Sequence, residues 1–445
     1  MKRRILVAVS GLWAILSLVS CGSSKKSGPP SGLTERVLAS QSVTSAQVFG
    51  ELVYINGEYD TLARVAPLSA GLSPGLMAIS PTRNILAAFD QSSNSIYAVN
   101  TTTETSLGHV QLPGATSSMV IPTAGPIGYA AVPSAWVNGY SFVGGVEVMN
   151  LSVGGGLITT IAVTNAETVV SNSAGTELLV FSNDSDDLTV LFPWVAAPPV
   201  DLSCITGNPP PPAPPVCTAV SGFSRPVYAV INGSTAYVLN CGLECGGSQP
   251  ASVAVFDLEG LTITNTIPVD AATWAYLSGS TLYVAGTSPT NNDCTGVTWG
   301  VPAQPTSATH CGRLDTVDLN SLTLTNTYKI SDGYHDRMDM SVNGQLFVGS
   351  HDCTNIGNAN NPSGEVRGCL SILNTMNSQV ISPAENGDVN GLQSFTSRYV
   401  EYVAQNGNLV VFDTLIDAPL ITDYIPDGMI DVVGYVGDIK AIDFF

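Results

Sequence analysis

Short apolar runs closed by polar turns recur along almost the whole chain. One kind, an aromatic or aliphatic residue followed by Val or Ala, is seen in TERVLAS, NILAAFD, IGYAAVP, ELLVFSN, TAYVLN, TLYVAG, QLFVGS and YVEYVAQ. After each comes a second run: ELVYIN, SIYAVN, GVEVMN, DLTVLF, SVAVFD, RLDTVD, CLSILN and NLVVFD. Most of these end in Asn or Asp, whose side chains hydrogen-bond the following backbone and start turns. A third, Thr-rich run follows in TLARVAPL, SLGHVQLP, LITTIAVT, TITNTIPV and TLTNTYKI. A further run then opens the next unit: LMAISP, SMVIPT, TVVSNS, PVYAVI, TWAYLS, RMDMSV, GLQSFT and DIKAIDFF. Alternation and enrichment in Val, Ile, Tyr and Thr predict strands, and no amphipathic run of helical period competes with them.

Four short antiparallel strands repeated at roughly 40–60 residues predict an all-β propeller, because one such unit cannot bury its faces alone. The chain starts with the last three strands of a unit, from Glu35, and ends with the first strand of one, from Asp438 to Phe445. Pairing the two ends completes a blade and leaves no open edge. Eight occurrences of three of the strand types predict eight blades. Seven is the alternative, because the Pro-rich NPPPPAPPV obscures the third strand in the unit around 167–226.

Composition adds to this picture. Charged residues make up 11% of the 445-residue chain, less than half the usual ~25%, so Ser, Thr, Asn and Gly must supply the polar surface. Fifteen Lys and Arg stand against 35 Asp and Glu. Five of the basic residues precede position 27, leaving a body with ten basic and 35 acidic groups, a formal −25. Such a body repels nucleic acid, and none is expected as a partner.

Lys2, Arg3 and Arg4 precede an apolar run from Ile5 to Leu18, too short for a span and suited to a cleaved signal. Leu18-Val19-Ser20-Cys21 resembles the bacterial lipobox, which implies lipid transfer to the Cys21 thiol and cleavage after Ser20. By the same analogy, Gly22 in place of Asp points to the outer membrane. The expected organisation is a signal peptide over 1–20, a flexible tether over 21–34 (small, polar and Pro-bearing) and a propeller over 35–445. Eight further cysteines fall into close sequential pairs, Cys204/Cys217, Cys241/Cys245, Cys294/Cys311 and Cys353/Cys369. Each pair brackets a stretch without apolar periodicity, which favours local disulfides in an oxidising compartment.

LSPGLMAISPTRN, TAYVLN with VAVFDLEGLTITNTIPV, and TLYVAG with LDTVDLNSLTLTNTYKI are similar to the YVTN-type β-propeller repeats of bacterial and archaeal surface proteins. The likeness covers most of 35–445. It departs from the family pattern in the last turn, where only Ser80-Pro81 keeps the Ser-Pro and Asn84 stands in place of Gly.

In a propeller, the loops leading into the innermost strands share a face with those between second and third strands. Three insertions, 241–250, 287–312 and 352–368, fall in the latter loops of consecutive blades. A loop with no core needs a staple, so these predict a disulfide-stapled wall on one sector. Residues leading into the inner strands are the ligand-binding candidates: Glu167, Arg225, Trp274, His335, Asp336 and Arg337, with Asp438 beside them. Two arginines in a charge-poor chain suggest an anionic or carbonyl-bearing ligand, against the simpler reading that they pair with Glu167 or Asp336. His335 and His351, with Asp336 and Asp352, form a weak metal signal better explained as turn histidines. No haem attachment site, nucleophile elbow or phosphate loop occurs, so no catalytic residue, cofactor or metal is expected. The favoured function is a non-enzymatic, lipid-anchored binding scaffold of the cell envelope, partnered by an envelope protein or surface polymer. A periplasmic hydrolase or lactonase using carboxylates and His335 at the channel mouth is the alternative.

Overall fold

The computed structural model describes residues 28–42, 50–135, 143–182, 184–193, 200–201, 204, 217–291, 293–299, 304–305, 310–354, 356–358, 361–383 and 387–443. The expected signal peptide, Cys21 and the first part of the tether lie outside the described residues. Eight antiparallel blades form one ring, which settles the count at eight. The first blade is shared between the two ends of the chain. Its innermost strand, Tyr435–Ala441, pairs with Arg36–Ser42, aligning Val37 with Ala441. Glu51–Asn56 and the short pieces Thr61–Leu62 and Leu68–Ser69 complete it, so the run TLARVAPL is a broken edge rather than one strand. Innermost strands of blades 2 to 8 are Pro74–Ile79, Ser118–Val120, Ala166–Ser171, Pro226–Asn232, Trp274–Ser278, Tyr334–Met340 and Val389–Ser394. Blade 4, obscured in the sequence, has all four strands. Its Pro-rich insertion lies between Leu188–Leu191 and Cys217–Val220, and part of it, Val200–Asp201, runs parallel to the outer strand of blade 3.

The polarity of each strand follows from its place in the ring. Second strands are covered on both faces by neighbouring blades, so Ile85–Asp90, Leu178–Ser182 and Val400–Gln405 are buried throughout. Outermost strands meet water, and Thr262–Pro268 and Thr323–Ile330 are mostly exposed. Threonine suits such a position, being β-branched yet polar. The core is accordingly a circle of slabs, one at each interface between adjacent blades. Val37, Val53 and Ile55 of blade 1, for example, meet Tyr402, Leu409 and Val411 of blade 8.

Polar stitches reinforce the closure. The Arg36 Nε and backbone N–H donate to Asp443, and its Nη1 donates to the Thr101 carbonyl and Glu104 of blade 2. Asp438 is buried and accepts the Met77 N–H at 2.8 Å, tying the innermost strands of blades 1 and 2 together. Asp339 accepts the Ser394 N–H at 2.7 Å and does the same for blades 7 and 8.

All four cysteine pairs are bridged in the sequential order expected: Cys204–Cys217, Cys241–Cys245, Cys294–Cys311 and Cys353–Cys369, with Cα separations of 5.4–5.6 Å. The last three staple loops on one face, where chain direction also brings the starts of the innermost strands. The Cys204–Cys217 bridge belongs to a turn between third and fourth strands, which places it on the opposite face. The expectation that the stapled loops have no core needs correction. Cys311 is fully buried, not held at a loop surface, and packs with Cys294 and Val297 as a small apolar cluster inside the middle loop. The reason is its position: Cys311 directly precedes the buried strand Gly312–Asp318, and its carbonyl accepts from Nη1 of the equally buried Arg313 at 3.3 Å. Cys241 and Cys369 are buried too, and join the slabs between blades 5 and 6 and between blades 7 and 8. Each bridge on this face thus ties its loop to buried apolar groups.

Candidate functional site

Six of the eight innermost strands carry a bulge at the same level, near the mouth of the central channel. The extra residues fall at Gly437, Gly75–Leu76, Glu167, Val227, Asp336 and Asn390. A bulge inserts one residue without a partner and re-aims the side chains around it. Gly437 and Gly75 show how closely the strands converge, since a Cβ on Gly437 would sit 2.9 Å from the Gly75 Cα. A cavity of about 470 Å³ opens at this level. Its lining includes bulge residues Gly75, Asp336, Asn390 and Gly437, together with Arg337, His351, Gln91, Ser73, Ser117 and Tyr435.

The charged groups of the cavity form a chain. Arg337 donates from Nε to the Asn390 carbonyl at 3.0 Å and from Nη1 to Asp336 Oδ2 at 3.0 Å. Its Nη2 has no hydrogen-bond partner among the described residues. Asp336 Oδ2 also lies 3.1 Å from His351 Nε2, while His351 Nδ1 lies 3.8 Å from Asp388 Oδ2. Burial works against the imidazolium, but the bond to Asp336 outweighs it and holds the His351 pKa above its ordinary value. Asn390 Nδ2 donates to the Tyr435 hydroxyl at 2.6 Å, leaving a half-exposed ring at the rim.

The other sequence candidates are distributed around this centre. Glu167 is reached by the Ser117 hydroxyl at 3.4 Å, and burial raises its pKa. Trp274 stacks on Tyr228 with ring centroids 3.8 Å apart, an aromatic step on the blade 5 and 6 side of the channel. Burial pushes the Tyr228 hydroxyl up to about 12, opposed by the nearby Arg337 charge. Arg225 sits outside the cavity lining, where its backbone N–H donates to Asp186 Oδ1 at 2.9 Å. His335 is 0% exposed, with Nε2 against the Ser331 carbonyl at 2.9 Å, and burial drives its pKa down to about 4. Arg225, His335 and Arg337 therefore do not share a pocket. The bulge explains the last two: the extra Asp336 breaks the alternation, turning His335 towards Gly312 of blade 6 and Arg337 towards Asn390 of blade 8. Sequence reasoning missed Asn390 and Tyr435, and it considered His351 only as a metal ligand. Among the described residues, no three His, Cys, Asp or Glu side chains gather as a metal ion requires.

Beside the mouth stands the stapled wall. Glu244, in the short helical turn Gly242–Cys245, accepts the Thr287 N–H of the next loop at 2.8 Å, and burial pushes its carboxyl up to about 8. The Thr287 hydroxyl reaches the Gly333 carbonyl at 2.8 Å. Thr354 of the third loop donates its N–H to Asp332 at 2.7 Å. Arg313 holds the middle loop through Asn291 Oδ1 at 2.9 Å and the Asp293 carbonyl at 3.2 Å, beside the Cys294–Cys311 bridge.

No protein-family model matches the sequence, and no curated protein matches it. Similar solved structures include the dihydro-heme d1 dehydrogenase NirN, with 10% identity and a TM-score of 0.58 over 96% of this chain and 78% of that one. A candidate 6-phosphogluconolactonase from Bacteroides fragilis gives 13% identity and a TM-score of 0.49 over 92% and 98% of the two chains. BamB from Moraxella catarrhalis gives 11% and 0.46 over 83% and 88%. At such identities the likeness concerns the fold alone: the chain is an eight-bladed β-propeller.

Proposed function

We propose that the protein is an extracytoplasmic binding scaffold of the bacterial envelope, a YVTN-like propeller held at the outer membrane by lipid on Cys21. Residues 1–20 serve as its signal peptide and 21–34 as its tether. The mouth takes a polar partner group bearing hydroxyl, carbonyl or carboxylate oxygens, offered by an envelope protein or a surface polymer. One observation carries this reading: in the 470 Å³ mouth cavity, Arg337 is fixed by Asp336 and Asn390 and keeps Nη2 as a spare donor. Gln91, Ser73 and Ser117 line the same cavity and add amide and hydroxyl groups to it. A fixed guanidinium edge is suited to oxygen acceptors.

The same geometry favours binding over hydrolysis. His351 faces a carboxylate from each ring nitrogen, which favours the imidazolium over the neutral form a general base needs. His335 is sealed inside the protein and away from the cavity. The test is capture from detergent-solubilised envelopes by the mature chain and by Arg337→Ala. Enrichment of a partner that Arg337→Ala loses, at unchanged melting temperature, is the expected result. Turnover of a lactone or glycan with no partner enriched would overturn the proposal.

A further inference from the structure

The chain joins the propeller on the face opposite the mouth. Arg36 stands at the far end of its strand, beside Ala441. Ser31, five residues earlier, donates its N–H to Glu104 Oε2 at 2.5 Å and its hydroxyl to Glu104 Oε1 at 2.6 Å, in an outer turn of blade 2. Ten residues separate Ser31 from Cys21, a reach of at most ~35 Å when fully extended. An anchor on Cys21 therefore reaches the body from this far face and keeps Ser31 within about 35 Å of the membrane.

That face carries apolar side chains where the anchor would bring it down. Val342 and Met376 project from turns of blade 7, Tyr399, Leu415 and Ile416 from turns of blade 8, and Tyr59 from blade 1, with Met376 84% exposed and Ile416 63%. These turns form one continuous surface. The Asn343 side chain donates to the Thr414 carbonyl at 2.8 Å, and the Thr414 N–H donates to the Tyr399 carbonyl at 3.0 Å. Arg398 meets Asp60 of blade 1 at 2.6 Å. Tyr59 lies edge-on to Tyr424 at 5.6 Å, a pair of amphipathic rings of the kind that settle at membrane interfaces.

Part of the negative charge of this sector is paired. Four of the body's ten basic residues, Arg36, Arg83, Arg398 and Lys440, lie at the far ends of blades 8, 1 and 2, with Arg64 midway along the outer edge of blade 1. Lys25 and Lys26 precede them in the tether. Asp443 and Glu104 are engaged by Arg36, Asp60 by Arg398 and Asp438 by Lys440. These pairs neutralise four carboxylates that would otherwise repel phosphate headgroups. Glu35, Glu58, Asp413 and Asp417 of the same turns have no basic partner among the described residues, so apolar contact rather than charge carries the inference.

We infer that the far face of blades 7, 8 and 1 rests on the headgroup layer of the lipid bilayer, turning the mouth away from the membrane. The inference rests on the lipoprotein reading of residues 1–21. A lipid anchor confines the body near the surface, and a shallow apolar contact then fixes which face looks down.

Amide hydrogen exchange on vesicles of phosphatidylethanolamine and phosphatidylglycerol tests the orientation. Mass spectrometry of the N-terminal peptide reads lipidation of Cys21 separately. If Cys21 is unmodified, its thiol is coupled to a maleimide phospholipid in the same vesicles, so the two questions stay apart. Peptides covering 341–344, 374–378 and 414–417 should exchange several-fold more slowly on vesicles than in the soluble Cys21→Ser chain. Those covering 70–76 and 331–337 should not change. In the Met376→Ser, Leu415→Ser, Ile416→Ser triple variant the slowing should vanish while the chain stays on the vesicle. Slowing at the mouth peptides, or none at either face, overturns the inference. Slowing in native envelopes but not on pure lipid assigns the face to a protein and overturns it equally.

Discussion

Asp336 is the residue on which the mouth turns. As the extra residue of a bulge it accepts from Arg337 on one side and His351 on the other. The His351 imidazole should therefore titrate above 6.5, and Asp336→Asn should bring its pKa back down, both read by NMR. Because the folded value is raised, the stability His351 contributes is present below pH 6.5 and lost as pH climbs through the folded pKa. Arg36 plays the corresponding part at the far face. Its removal strands Glu104 and Asp443, so Arg36→Ala should cost about 3–5 kcal/mol by chemical denaturation. The Arg225–Asp186 ion pair, 4.0 Å long with an exposed carboxylate, should contribute less than about 1 kcal/mol in a double-mutant cycle. Asp336 and Arg337 were legible because charge is rare in this chain and they stand where an inner strand begins. Asn390, Asp388 and Tyr435 were not, since they come from the next blades and only the packing of consecutive innermost strands around the channel brings them near. The inward turn of His335 was illegible for a different reason. One unannounced bulge reverses the strand's alternation, and nothing in ISDGYHDRMDMS marks its position.

At the scale of elements, a strand was readable in proportion to how completely its neighbours cover it. Second strands such as NILAAFD and YVEYVAQ lie between two blades and are apolar almost throughout, so eight could be counted. Outer strands face water on one side and have weak patterns, which is why the one in blade 1 is two fragments and the one in blade 4 was hidden behind prolines. The disulfide pairing was also readable, because each bridge closes a short stretch that lacks apolar periodicity. The depth of Cys311 was not, since the cluster it forms with Cys294 and Val297 has no periodic signature in the sequence. Cys353→Ser with Cys369→Ser should keep the blade but expose its loop to protease, giving a single early cut near 355–367 on a gel. The lost constraint on the unfolded chain is worth about 3 kcal/mol for a loop of this size. Deleting 435–443 is a harsher change. It bares the whole edge of Arg36–Ser42, and light scattering should show association in place of a monodisperse ring.

Across the whole molecule, buried acids outnumber buried bases in their effect on pH. Burial lifts Glu147 to about 7, Glu244 to about 8, and Asp315 and Asp417 to about 6. Each keeps its proton in the folded state over a range where the unfolded chain has released it. The unfolded state then binds fewer protons, so stability declines with rising pH from near 4 to near 8. His335, depressed to about 4, acts in the opposite sense between 4 and 6.5, one group against four. Thermal unfolding should give a higher midpoint at pH 5 than at pH 8, and Glu147→Gln should flatten that slope. The shared first blade has a consequence for biogenesis. Arg36–Ser42 is made long before its partner Tyr435–Ala441, some 400 residues later. Throughout that interval the growing arc has an unpaired terminus, so synthesis is the period of greatest exposure to chaperones and proteases, and ring closure waits on the final stretch of the chain.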